Sequence, residues 1–159
     1  NDAFYLIGGI FFLGTSFSLF TLLRNAGLTF VVYLLLITII TDTYAYITGM
    51  LIGRHKLLPE VSPKKTWEGS IGGTVMGTIV GVCYYVTVIN PSVSMVGIIL
   101  TTVFLSILGQ FGDLVFLSIK RYFGKKDFSQ IMPGHGGILD RLDSIIFVVL
   151  GFMFFMNLL

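Results

Sequence analysis

Residues 95–119 read M-V-G-I-I-L-T-T-V-F-L-S-I-L-G-Q-F-G-D-L-V-F-L-S-I, about 25 residues carrying one ionisable side chain, Asp113. A run of that length and polarity crosses a bilayer as a helix, since only internal hydrogen bonding satisfies the backbone in hydrocarbon. Working outward, the rest of the chain repeats the pattern. Apolar runs cover roughly Ala3–Leu23, Leu28–Ile52, Ser70–Asn90 and a last stretch from Asp140–Asp143 to Leu159. Hydrophobic residues make up 55% of the 159 and charged residues 11%, with a mean hydropathy of +0.92. A soluble domain would carry about a quarter charged residues. The expected fold is therefore an all-α integral membrane protein, a polytopic bundle of about five transmembrane helices with two charged loops.

The same composition narrows the partners. A formal charge of +2 is too small to suggest a nucleic-acid binder, and one cysteine, Cys83, excludes an internal disulfide and a Cys-rich metal site. No repeat or low-complexity tract divides the chain, so residues 1–159 are treated as one transmembrane domain. It enters an apolar run directly after Asn1-Asp2, as a piece of a longer chain would. Of the ten Lys and Arg residues, all but Arg24 fall in the 53–69 loop or the 120–141 region, which five crossings put on one side. The positive-inside rule makes that side the cytoplasm. Gly73, Gly77 and Gly81 recur every four residues in the third span, a small-residue face for close helix packing.

Between the fourth and fifth spans lies a polar island, residues 118–143, S-I-K-R-Y-F-G-K-K-D-F-S-Q-I-M-P-G-H-G-G-I-L-D-R-L-D. It sets Lys120, Arg121, Lys125, Lys126 and Arg141 beside Asp127, Asp140 and Asp143. Cations suited to phosphate next to carboxylates suited to Mg²⁺ are what a nucleotide-handling site needs. Asp140 and Asp143, three apart, share one helix face about 5–6 Å apart, where two like charges call for a cation between them. Arg141 points away from that face, so a divalent metal is the better neutraliser. Asp113, inside the fourth span, is a further metal ligand, because an ionised group in hydrocarbon requires a partner or a function. Asp42, deeper in the second span, fits either an interhelical hydrogen bond or a ligand role.

Pro133-Gly134-His135-Gly136-Gly137 lacks the ending of a P-loop, yet its glycines let backbone N–H groups turn toward an anion. His135 fits a structural hydrogen bond or a phosphate contact equally. In the other loop, Ser62 before Pro63 predicts an N-cap and first helical position, with Lys64 and Lys65 in the first turn. There they would either meet a bound phosphate or draw the loop to anionic lipid headgroups. Trp67 is expected to anchor at the membrane interface.

These residues resemble a known signature, that of the phosphatidate cytidylyltransferases, also called CDP-diacylglycerol synthases. The family pattern is met by Ser118, Lys120, Arg121, Lys126, Asp127, Ser129, Pro133, His135, Gly136, Gly137, Asp140, Arg141 and Asp143. Met132, where the pattern has Leu, Ile or Phe, is the one departure and a conservative one. The S-P-K-K-T-W-E-G run at 62–69 and D-T-Y-A-Y at 42–46 are also similar to family segments. Members usually have several more spans at the N-terminus, so this chain looks like the catalytic C-terminal part.

The resemblance implies an Mg²⁺-dependent transfer of CMP from CTP to phosphatidate, giving CDP-diacylglycerol and pyrophosphate, in the bacterial cytoplasmic membrane with the site facing the cytoplasm. It also implies a homodimer and a bound K⁺ ion, neither of which the residues themselves indicate. Asp113, Asp140 and Asp143 would hold the metal. Lys126 and Arg141 would act in catalysis, and Ser62, Lys64, Lys65, Lys120, Arg121, His135, Gly136 and Gly137 would bind the substrates, CTP and membrane lipid. Two other classes fit less well. A CTP-dependent polyprenol or phytol kinase would need a base for its alcohol, and a cation transporter would not need the phosphate-type loops.

Overall fold

The computed structural model describes residues 2–124 and 139–156, with side chains over 7–124 and 142–156. Its elements in order are α1 (Asp2–Ala26), α2 (Leu28–Ile52), β1 (Lys56–Leu58), β2 (Ser62–Thr66), α3 (Trp67–Tyr84, continued by a π-helical turn Tyr85–Ile89), α4 (Met95–Tyr122) and α5 (Leu139–Phe155). Four helical stretches, within α1, α2, α3 with its π turn, and α4, are long and apolar enough to cross a membrane. The described part of the fifth, α5, is a shorter apolar helix of 17 residues. The expected bundle of membrane helices is the fold that forms.

Helix α3 shows why the spans pack as they do. Its buried residues are Gly69, Gly73, Gly77 and Gly81, all on one face. Ile71, Val75 and Ile79 stand exposed on another. In lipid the usual hydrophobic drive between helices is absent, so close backbone approach decides which faces meet. A Cβ on Gly69 would sit 2.5 Å from the Ala45 carbonyl oxygen, and one on Gly81 would sit 2.9 Å from Ile37 Cγ1, both on α2. The α2–α3 contact is accordingly the most extensive among the described elements. The stripe begins one turn earlier than the sequence reading placed it.

Hydroxyl groups tie α4 to this pair. The Tyr33 hydroxyl donates to Thr102 Oγ1 at 2.8 Å, since the Thr102 proton is given to the Ile98 carbonyl. Thr41 and Ser106 share a bond of 2.8 Å, and Gln110 Nε2 donates to Thr74 Oγ1 at 2.9 Å. Such interhelical bonds contribute about 0.6 kcal/mol each in a membrane. Beneath them Tyr33 meets Tyr85 and Phe152 edge-on, at centroid distances of 5.2 and 5.7 Å, in a core completed by Leu34, Ile37, Leu105 and Val148.

The 53–66 segment departs from expectation. Ser62 does not cap a helix; Ser62–Thr66 is an extended strand paired antiparallel with Lys56–Leu58. The cap is Thr66, whose Oγ1 accepts from Gly69 N at 3.1 Å, with Glu68 in the first turn. A helix starting at Ser62 would have set two ammoniums against its positive end. Starting at Thr66 leaves an acid there instead, the favourable sign for the dipole. Pro63 suits the edge strand of a two-stranded ribbon.

Candidate functional site

A cavity of about 700 Å³ opens where α2, β2, the start of α3, α4 and α5 converge. Each wall brings chemistry of its own. From α2 comes Asp42, from β2 come Ser62, Lys64 and Lys65, from α4 comes Asp113, and from α5 comes Asp143.

The hairpin is what turns two lysines the same way. In a regular strand adjacent side chains point to opposite faces. Here Lys56 pairs with Thr66 and Leu58 with Ser62, so β2 carries extra residues between the two rungs. Bulges of this kind re-aim side chains. Both Lys64 and Lys65 consequently line the cavity. Lys65 Nζ reaches across to α4 and forms an ion pair with Asp113 Oδ2, both side chains being partly buried.

On α4 the polar residues follow a stripe: Ser106, Gln110, Asp113 and, two turns beyond Asp113, Lys120. Ser106, Gln110 and Lys120 are buried on it. The helix runs to Tyr122, past the expected end near Ile119, so Lys120 and Arg121 occupy its last turn, where cations suit the dipole. Lys120 is turned inward and lies close enough to Asp143 to interact with it electrostatically, as does Asp113. Asp143 itself is buried, and its Oδ1 accepts from Ser144 N at 2.7 Å. Arg121 is exposed. Asp42 opens onto the same cavity and interacts with Asp113 and Lys65, with no hydrogen bond to its carboxylate among the described residues.

Of the expected site residues, Ser62, Lys64, Lys65, Asp113 and Asp143 thus come together from three separate parts of the chain, with Lys120 beside them. Arg121 is not part of that group. Asp140 and Arg141 lie on the first turn of α5, but their side chains fall outside the described residues. Lys126, His135, Gly136 and Gly137 lie outside them altogether. Gln110, Ser70 and Thr66 line the cavity as well and were not read as site residues. The 4-4-3-7 spacing of Thr102, Ser106, Gln110, Asp113 and Lys120 was the available signal for the α4 stripe.

The donor set is all oxygen and hard, which fits Mg²⁺ rather than a soft metal. Among the described residues no three acids lie close enough to form a metal cluster. Asp113 and Asp143 are the described pair, and Asp140, one helical turn from Asp143, is the residue whose position would complete it. The arrangement offers cations for phosphate oxygens and carboxylates for a hard cation, in one cavity walled by membrane helices.

A family model described as the cytidylyltransferase family matches residues 2–159. Over 148 residues the chain is 45% identical to a protein of Staphylococcus haemolyticus named phosphatidate cytidylyltransferase, covering 93% of this chain and 56% of that one. Proteins of the same name from Staphylococcus aureus (43% over 150 residues) and Staphylococcus saprophyticus (42% over 148) match with the same coverage. The chain therefore spans about half the length of the curated relatives it matches. Matched from Asp2 to its last residue, it belongs to the cytidylyltransferase family.

Proposed function

We propose that this chain forms the catalytic part of a CTP:phosphatidate cytidylyltransferase, which transfers CMP to a membrane lipid phosphate and releases pyrophosphate. The observation that carries the reading is the cavity, where Lys64, Lys65, Asp42, Asp113 and Asp143 meet among membrane-spanning helices. A nucleotide-using site reached by a lipid head needs that mixture of charge at that place. The relatives named above support the choice of CTP and phosphatidate.

The attacking phosphate is already ionised near neutral pH, so a strong general base is not required. The difficulty is to bring one anion to the α-phosphorus of another and to stabilise the departing pyrophosphate. Lys64 and Lys65, aimed into the cavity by the β2 bulge, neutralise phosphate oxygens. Lys65 starts on Asp113; when a phosphate arrives, its ammonium exchanges one oxyanion for another at little cost, and the Asp113 carboxylate is released. Asp113 and Asp143, with Asp140, would hold Mg²⁺, which when bound supplies charge neutralisation on the triphosphate. Lys120 offsets part of the charge of Asp143. Both charged loops face the cytoplasm in this reading, where CTP is found, and the acyl chains stay in the bilayer.

The test is the purified full-length protein with labelled CTP and phosphatidate, with and without Mg²⁺. Labelled CDP-diacylglycerol formed only with the metal is the expected result. A phosphorylated alcohol from polyprenol, or no lipid product, would overturn it.

A further inference from the structure

Glu68 stands outside the cavity, yet more hydrogen bonds converge on it than on any other carboxylate among the described residues. Its carboxylate accepts from Arg54 N at 3.2 Å and from His55 N at 3.3 Å, and His55 Nδ1 lies 2.6 Å from Oε1. Glu68 is the second residue of α3, while Arg54 and His55 lead into β1. The clasp is closed from the backbone side by Trp67 N, which donates to the His55 carbonyl at 3.0 Å. Lys56 then pairs with Thr66, the residue next to Lys65.

The third party is the end of α2. A Cβ on Gly53 would sit 2.7 Å from Thr66 Oγ1 and 2.8 Å from Thr66 Cγ2, so only a bare residue lets α2 come this close to the cap of α3. The strand β1 has 3 residues and β2 has 5, and a two-stranded hairpin of that size is marginal without support. Its described support lies at its base, where Glu68 and Thr66 act. The ion pair of Lys65 with Asp113 joins the hairpin to α4 on the far wall of the cavity.

We propose that Glu68 is a positioning residue for Lys65: by holding the Arg54 and His55 amides to the first turn of α3, it sets the hairpin that carries Lys65 onto Asp113. The role rests on the transfer reading above, and it has a signature that a general contribution to folding would lack. If Glu68 acts through Lys65, removing both costs no more than removing Lys65 alone.

The experiment uses the full-length protein in detergent micelles. Amide hydrogen exchange is measured on wild type and Glu68→Ala. Exchange is expected to rise at least about tenfold over 54–66 and to stay unchanged in α4, because the opening is local. In the CTP–phosphatidate assay, Glu68→Ala is expected to lower kcat about 10–100-fold with KM for CTP little changed, since about 1 Å of misplacement costs on that order. Lys65→Ala is expected to lose about 10²–10³-fold, and the double variant no more than Lys65→Ala. Glu68→Gln keeps one carbonyl acceptor for the two amides and should recover part of the loss. Unchanged exchange over 54–66 overturns the proposal whether or not the protein makes CDP-diacylglycerol, and so do multiplying losses in the double variant. If the wild type makes no CDP-lipid, the transfer reading fails. The clasp is then judged by exchange together with the rate at which an amine reagent modifies Lys65, expected to rise in Glu68→Ala; an unchanged rate overturns it.

Discussion

Replacing Gly73 by alanine puts one methyl group where two helix backbones meet. The new Cβ would stand 2.8 Å from Ala45 Cβ and 3.0 Å from Ala45 N, and in contact with the Thr41 carbonyl oxygen. Carbon atoms rest at about 3.5–4.0 Å, so α2 and α3 must separate by about 0.7–1.2 Å at this level. Two of the three neighbours are backbone atoms, and no rotamer change relieves them. Overpacking of this kind costs about 1–3 kcal/mol, against which the better helix propensity of alanine returns about 0.5–1 kcal/mol. The difference, a net loss of up to about 2.5 kcal/mol, lowers Tm by up to about 10 °C for a domain of this size. Gly14 is the internal control, because nothing among the described residues lies within 4 Å of a Cβ built there, so Gly14→Ala should hold or raise Tm. Thermal unfolding of the full-length protein in one detergent, followed by circular dichroism, compares the two. A Gly73→Ala protein as stable as Gly14→Ala would refute the argument that close approach of α2 and α3 holds the bundle.

Further outcomes are expected at the site and in the membrane. Lys65→Gln should cost about 10²–10³ in kcat, and the loss should persist in neutral detergent. Were Lys65 only drawing the loop to anionic lipid, worth about 1 kcal/mol, the effect would vanish there. Asp143→Asn keeps an oxygen to accept from Ser144 N, so the fold should assemble normally while transfer falls at least about 10²-fold. Near-normal turnover at ordinary Mg²⁺ would remove Asp143 from the metal-holding set. A cysteine replacing Lys56 in a Cys83→Ser protein should resist an impermeant thiol reagent in intact cells and react after lysis; ready labelling in intact cells would invert the topology.

Much of the molecule was legible in its residues. Twenty-residue apolar runs leave a chain no choice but to satisfy its backbone as helices, so the helical spans follow from hydropathy alone. The glycine stripe of α3 was visible because a period of four on a helix is a face, whatever lies opposite. The acids were visible because an ionised group inside an apolar run is costly enough to need a reason. The start of α3 was misread because Ser62-Pro63 and Thr66 are both acceptable helix starts locally. What decides between them is pairing with β1, a contact formed at the other end of the loop, and the clasp of Glu68 on Arg54 and His55. The partners of the charged groups were out of reach for the same reason. Lys65 and Asp113 are 48 positions apart, and which ammonium meets which carboxylate depends on how four elements converge. Residue type and period are properties of a segment, whereas the angle of a hairpin and the depth of a cavity belong only to the packed whole.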